Sequence, residues 1–320
     1  MRAIIVKEFG APEVMKLEEV SAPTPNKKQV LVRVKAVGVN PVDIYIRGGQ
    51  YAAKPNLPFT PGKDAAGIVE AVEETVKKVK VGSRVYTAGS VSGTYAEFAL
   101  CEENQVWALP DNVSYEQGAG VFVPFATAYR ALFQKADAEK GETVLVHGAS
   151  GGVGIAAVQW AKNAGLKIIG TASSKGGKTL VKEQGADFVL DHSTENYLEE
   201  IKEITEGKGV SIILEMLANE NLTKDFDVLA MFGRVVVIGN RGSLEFNPRL
   251  VMGKDAAIFG MSLFNAPPVD FQAIHAAIYE GLSKGYLNPI VGKTFLLEQA
   301  AEAHHEVMET KAFGKTILEI

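Results

Sequence analysis

The residues best suited to chemistry lie between 144 and 157, in Val144-Leu145-Val146-His147-Gly148-Ala149-Ser150-Gly151-Gly152-Val153-Gly154-Ile155-Ala156-Ala157. There an apolar run passes through a glycine turn into a second apolar run. Glycine permits tight turning, lets backbone N–H groups approach a pyrophosphate, and lets a helix pack closely on a strand, while the helix N-terminus attracts negative charge. Ser150, Gly151, Gly152 and Val153 are therefore candidates for holding a dinucleotide. Glycines at 148, 151 and 154, with Gly152 between, depart from the G-x-G-x-x-G spacing, so the turn is expected to differ in detail. An acidic residue after the next strand would bond an adenosine ribose. None occurs from Gly148 through Lys182, where Ser173, Ser174, Lys175 and Lys178 stand instead. Ammonium and hydroxyl groups complement a 2′-phosphate that a carboxylate would repel, so the expected cofactor is NADPH rather than NADH.

The elements that must position this turn read as alternating strands and helices. Apolar runs at 143–147, 167–170, 188–190, 211–214, 235–238 and 257–260 predict six strands of a doubly wound parallel sheet. Residues 1 to about 122 are instead short β-branched runs split by Gly, Pro and Asn, which predict a small barrel-like domain. A helix from Asp270 to about Leu282, a further helix and the strand 315–320 are expected to return to that first domain, leaving a ligand-binding cleft between the two. The expected boundaries are 1–122 with 263–320 for one domain and 123–262 for the other.

Composition excludes several other classes. The chain has 320 residues, 47% hydrophobic and 22% charged, with Cys101 its single cysteine, so neither a disulfide framework nor a multi-cysteine metal site can be built. Acidic neighbours Glu102 and Glu103 argue against Cys101 as a nucleophile. The first residues leave no room for a signal peptide's apolar core, which reads as intracellular, that is cytoplasmic. Residues 143–161 carry no formal charge, but their four glycines, His147, Ser150 and Gln159 predict strand, turn and buried helix rather than a membrane span. A net charge of −5 gives no global field for nucleic acid.

Further blocks run in order along nearly the whole chain: Gly38-Val39-Asn40-Pro41-Val42, Tyr45-Ile46-Arg47, Tyr129-Arg130-Ala131-Leu132, the glycine turn, Glu215-Met216-Leu217-Ala218-Asn219 and Asn247-Pro248-Arg249. Through them the chain resembles the medium-chain dehydrogenase/reductase superfamily and, within it, the zinc-independent quinone oxidoreductases of the zeta-crystallin type. The resemblance implies a GroES-like domain, a β-barrel type, beside a Rossmann domain. It also implies NADPH-dependent reduction of ortho-quinones and naphthoquinones, in one-electron steps to the semiquinone. Asn40 stands where zinc-dependent relatives carry cysteine, and Gly62-Lys63-Asp64 replaces their Gly-His-Glu. Since catalytic zinc needs about three thiolate, imidazole or carboxylate ligands, no metal is expected. Adjacent His304 and His305 diverge on a helix, and His147 and His192 end strands.

The resemblance carries cofactor contacts onto Tyr45, the 150–153 turn, Ser173, Lys178, His192, Asn221, Ile238, Gly239, Asn240, Arg241, Met261, Ser262 and Leu263. Ser173 and Asn240 depart from the glycine and serine of the vertebrate crystallins. Candidate catalytic residues are Asn40 and Asp43, where zinc relatives keep their metal, with Tyr45 and Tyr51 to stack on a flat quinone or donate to its oxygen. Thr127, expected at a helix start, would face the nicotinamide amide. Asn40 and Asp43 flank a proline and serve equally well to set a turn. Two alternatives remain: an enone or alkenal double-bond reductase, and a structural crystallin or binder of single-stranded DNA or AU-rich RNA along Lys175, Lys178 and Lys182. The resemblance also implies a dimer or tetramer through edge strands near Ala257–Gly260.

Overall fold

The computed structural model describes residues 1–320. The chain first lays down β1 (Arg2–Val6), β2 (Met15–Glu19), β3 (Gln29–Gly38), β4 (Asp64–Val72), β5 (Arg84–Thr87), β6 (Phe98–Glu102) and β7 (Val106–Ala108). After Pro124 come β8 (Thr143–Val146), β9 (Lys167–Thr171), β10 (Phe188–Leu190), β11 (Val210–Glu215), β12 (Leu229–Val237) and β13 (Ala257–Gly260). The last two are β14 (Val291–Leu296) and β15 (Lys315–Glu319).

Contacts divide the chain into two units. One comprises Met1–Val123, Tyr279–Thr310 and Gly314–Ile320; the other comprises Pro124–Ile278 and Lys311–Phe313. The return therefore falls at 278 rather than at 262, because the helix Pro268–Lys284 begins against the second unit. There Arg130 Nη1 meets Asp270 Oδ2 at 3.2 Å, and Gln134 donates to the Asp270 carbonyl.

In the first unit β1 and β2 form a two-stranded ribbon, and a seven-stranded sheet runs β14-β15-β3-β4-β5-β7 with β6 also on β3. Alternation places Val30, Val32 and Val34 in the core while Arg33 and Lys35 face outward. Val69, Val85, Tyr95 and Leu318 complete that core. Strand β15 pairs antiparallel with β3 and parallel with β14, which joins the late segment to the early one.

The second unit is a six-stranded parallel sheet in the order β10-β9-β8-β11-β12-β13. Helices cover a parallel sheet on both faces, so its strands read as continuous apolar runs. Val144, Leu145, Val146, Ile212, Ile213 and Leu214 are all fully buried. Helices Gly152–Ala164 and Lys175–Gln184 end on Gly165 (φ 77°) and Gly185 (φ 114°), left-handed caps that favour glycine. The strand order reverses between β8 and β11, and at such a point the carboxyl ends of the strands leave a crevice for ligands. This is the GroES-like plus Rossmann architecture expected from the sequence.

Candidate active site

The glycine turn takes the geometry its sequence requires. Gly148 has φ +56°, its N–H donates to Thr171 Oγ1, and Gly151 N donates back to the Gly148 carbonyl. The helix Gly152–Ala164 starts at once, so its first N–H groups have no partner within the helix and face the crevice at the strand ends. A Cβ on Gly154 would lie 2.4 Å from the Gly148 carbonyl oxygen and 2.5 Å from Ala149 Cα, so only glycine lets the helix approach the turn. Gly154→Ala is expected to destabilise this unit by about 1–3 kcal/mol. Thermal unfolding checks this, and an unshifted midpoint would show that the turn opens freely.

Beyond β9 the chain presents the expected basic corner. Ser174 caps the helix Lys175–Gln184 by accepting from Gly177 N at 3.0 Å, and Lys175 is exposed on its first turn. Lys178 and Lys182 are already engaged: Lys178 Nζ lies 2.9 Å from Asp191 Oδ2, and Lys182 Nζ donates to the Asp187 carbonyl. A lysine that the sequence reading missed stands at the same corner: Lys311 Nζ donates to the Ser173 carbonyl at 3.3 Å. His192 follows β10 and is exposed.

On the far side of the crevice, β11 and β12 end in Glu215-Met216-Leu217 and Ile238-Gly239-Asn240-Arg241. A Cβ on Gly239 would lie 2.3 Å from the Met216 carbonyl oxygen, so the two segments touch along their backbones. Arg241 N donates to Asn219 Oδ1. Met261 and Ser262 follow β13 half-buried, whereas Leu263 is buried in the unit. Behind these loops His147, Glu215 and Asp225 come together, their ligand atoms within 4.8 Å of one another. Burial pushes the Glu215 carboxyl up, opposed by His147. Burial alone would lower the His147 imidazolium, but the hydrogen bond and charge of Asp225, with Glu215, carry it above its ordinary value. The direct His147 Nε2 to Asp225 Oδ1 contact, 2.9 Å, is one that a shared proton satisfies.

In the other unit Asn40, Asp43, Asp64 and Lys315 form a second buried cluster. Asn40 N donates to Asp43 Oδ2 at 2.9 Å, and Asn40 Nδ2 donates to Asp64 Oδ2 at 3.1 Å and to the Gly38 carbonyl. Lys315 Nζ donates to Asn40 Oδ1 and lies 3.7 Å from Asp64 Oδ2. Val123 N donates to Asp64 as well. Every polar atom of the Asn40 side chain is therefore engaged, and it positions its neighbours rather than offering a donor to a substrate. Burial pushes the carboxyls of Asp43 and Asp64 up to about 6 and about 7, with Lys315 pulling both down. A zinc ion does not fit here: the set has no thiolate or imidazole, and an ammonium already holds the space between Asn40 and Asp64.

The remaining candidates scatter. Asp43 lines a cavity of about 640 Å³ together with Ile46, Phe59, Lys63 and Ser92, whereas Tyr45 lines a separate one with Arg47 and His304. Tyr45 lies two positions from Asp43 on the helix Pro41–Arg47, and so points to a different face. Tyr51 is half-buried and lines neither cavity. Thr127 is buried and begins an α-helical segment, but that segment continues the helical stretch Phe122–Ala126, so Thr127 does not open the helical run. Cys101 is buried, and burial pushes its thiol up to about 12.

The glycine turn thus lies in one unit and a cavity with the buried Asp43 carboxyl in the other. The chain is 48% identical over 320 residues to a human quinone oxidoreductase, covering 99% of this chain and 97% of that protein. The chain belongs to the quinone oxidoreductase family. It is an oxidoreductase, with the alcohol dehydrogenase GroES-like domain matched at residues 26–111 and the zinc-binding dehydrogenase domain at 152–279. The second match contains none of Asn40, Asp43 or Asp64. Among solved structures, the Escherichia coli quinone oxidoreductase complexed with NADPH superposes with a TM-score of 0.90 at 30% identity over 100% of both chains. A mycobacterial protein complexed with NADPH gives 0.92 at 30% identity, again over 100% of both.

Proposed function

We propose that this chain reduces ortho-quinones and naphthoquinones with NADPH, in one-electron steps and without a metal, in the cytoplasm. The observation that carries the reading is the glycine turn with Lys175 and Lys311 at its 2′-phosphate corner. The Gly152–Ala164 helix N-terminus and Ser150 would hold the pyrophosphate, and Ser173, Lys175 and Lys311 the 2′-phosphate. When bound, NADPH supplies the reducing equivalents. No helix of the structure is long and apolar enough to cross a membrane.

The chain's own contribution is positioning and protons. The cavity lined by Asp43 takes a flat ring against Phe59, with Lys63 able to donate to a carbonyl oxygen. Asp43 Oδ1 has no hydrogen-bond partner, and its carboxyl, raised to about 6, can hold a proton at the cavity wall in mildly acidic solution. The buried ammonium of Lys315 supplies a fixed positive charge beside Asn40 and Asp64, where a divalent cation would otherwise be needed. Strand β13 is an edge strand of its sheet, and pairing there between copies would make a dimer.

NADPH consumption with phenanthrenequinone, beside an NADH control, an EDTA-treated sample and a straight-chain enal, tests the reading. The expected result is rapid, EDTA-resistant turnover that prefers NADPH and the quinone. Turnover of the enal alone would make the chain a double-bond reductase, and loss of activity in EDTA would overturn metal independence. Oxygen uptake during turnover is expected for one-electron products.

A further inference from the structure

Glu215 sits where three segments of the Rossmann unit meet. Its Oε1 accepts from Leu217 N and, at 3.2 Å, from Asn221 Nδ2. Its main-chain carbonyl accepts from Ile238 N at 2.9 Å and Gly239 N at 3.2 Å, and Ala218 N returns a bond to the Gly239 carbonyl. Behind it, Oε2 faces His147 Nε2 at 3.5 Å, and His147 is the residue immediately before the glycine turn. His147 in turn is held by Asp225 at 2.9 Å. Glu215 is completely buried, and Oε2 has no hydrogen-bond partner.

Oε1 already accepts from Leu217 N and therefore acts as an acceptor. The Asn221 amide must therefore turn its NH₂ toward Glu215, which leaves its Oδ1 as an acceptor on the half-buried outer side of the residue. We propose that Glu215, backed by His147 and Asp225, is a positioning residue that fixes the Asn221 amide and the Ile238–Gly239 loop so that they bind the nicotinamide half of the cofactor. The ligand group this arrangement suits is a hydroxyl or carboxamide N–H, which Asn221 Oδ1 accepts. This rests on the reading of the chain as NADPH-dependent. The adenosine half is held elsewhere, at Ser173, Lys175 and Lys311, and owes nothing to Glu215.

That separation supplies the test. NADPH and adenosine 2′,5′-bisphosphate are titrated against the wild-type chain, Glu215→Gln, Asn221→Ala and the double variant. Glutamine preserves the volume of Glu215 but removes the charge that dictates the Asn221 amide. The expected result is that each single variant weakens NADPH about tenfold, as for one charge-assisted hydrogen bond. The double variant should be no weaker than the worse single one, and the bisphosphate should bind all four proteins alike. A Glu215→Gln chain that binds NADPH as tightly as wild type, or that loses both ligands in parallel, overturns the proposal. If Glu215→Gln does not fold, Glu215→Asp, which keeps the charge but withdraws it from the Asn221 amide, is titrated in its place, and the same split between the two ligands decides. A wild-type chain that binds neither ligand would instead overturn the NADPH reading itself.

Discussion

Lys315→Met is expected to lower the stability of the GroES-like unit by about 3–5 kcal/mol, the usual consequence of leaving buried charge without its partner. Lys315 is buried, and the variant removes the ammonium that pulls most strongly on both Asp43 and Asp64, leaving the charge of Lys63 on Asp43. The deficit must depend on pH. Carboxyls raised to about 6 and about 7 when folded bind protons more tightly than in the unfolded chain. Their burial is therefore tolerated below the ordinary carboxylate range and grows costlier as pH rises through those values. Without the ammonium they rise further, so the loss should be small at pH 5 and grow as pH climbs above about 6 and about 7. The two tryptophans fall one in each unit, Trp107 and Trp160, so denaturation followed in a Trp160→Phe background reports the affected unit alone. A deficit independent of pH would show that Lys315 contributes packing rather than charge.

Lys175→Glu combined with Lys311→Glu should raise the KM for NADPH by about 10²-fold or more while changing that for NADH less than about threefold. Each reversal replaces an attraction to a 2′-phosphate with a repulsion, and charge-assisted contacts of this kind contribute about 1.5–3 kcal/mol each. Both ammonium groups are exposed, so the effect should shrink as salt rises. Equal rises for the two cofactors would mean that neither lysine reads the phosphate. Lys178→Glu is the informative contrast, because Lys178 is already paired with Asp191 and its reversal disturbs that pair first.

The parts of the molecule that were legible in the sequence are those whose physics is local. The glycine turn and six apolar runs specify their own conformations, and a doubly wound parallel sheet follows from the alternation of strand and helix. The missed residues act across long separations. Lys311 reaches Ser173 from 138 positions away and Lys315 reaches Asn40 from 275, and no spacing rule joins such pairs. Asn40 and Asp43 around Pro41 read as a turn but cap the helix Pro41–Arg47 instead, and the saturation of the Asn40 amide by Asp64 and Lys315 appears only in three dimensions. Thr127 resembles a helix start because Pro124 precedes it, but the helical run passes through that proline. The late domain boundary has a similar origin, since the Arg130–Asp270 pair that holds the helix Pro268–Lys284 is invisible to periodicity.

The placement of β15 between β14 and β3 sets an order of events during synthesis. Residues 124–278 contain all six strands of their sheet and can complete it as they emerge. The other sheet cannot close, because β3 waits beside an empty slot until residues 315–319 have been translated, a contact of very high sequence separation. A nascent chain that has not passed Gly314 therefore carries a finished Rossmann sheet, an open strand edge of the kind that chaperones shield, and two carboxylates whose neutralising lysine has yet to be added.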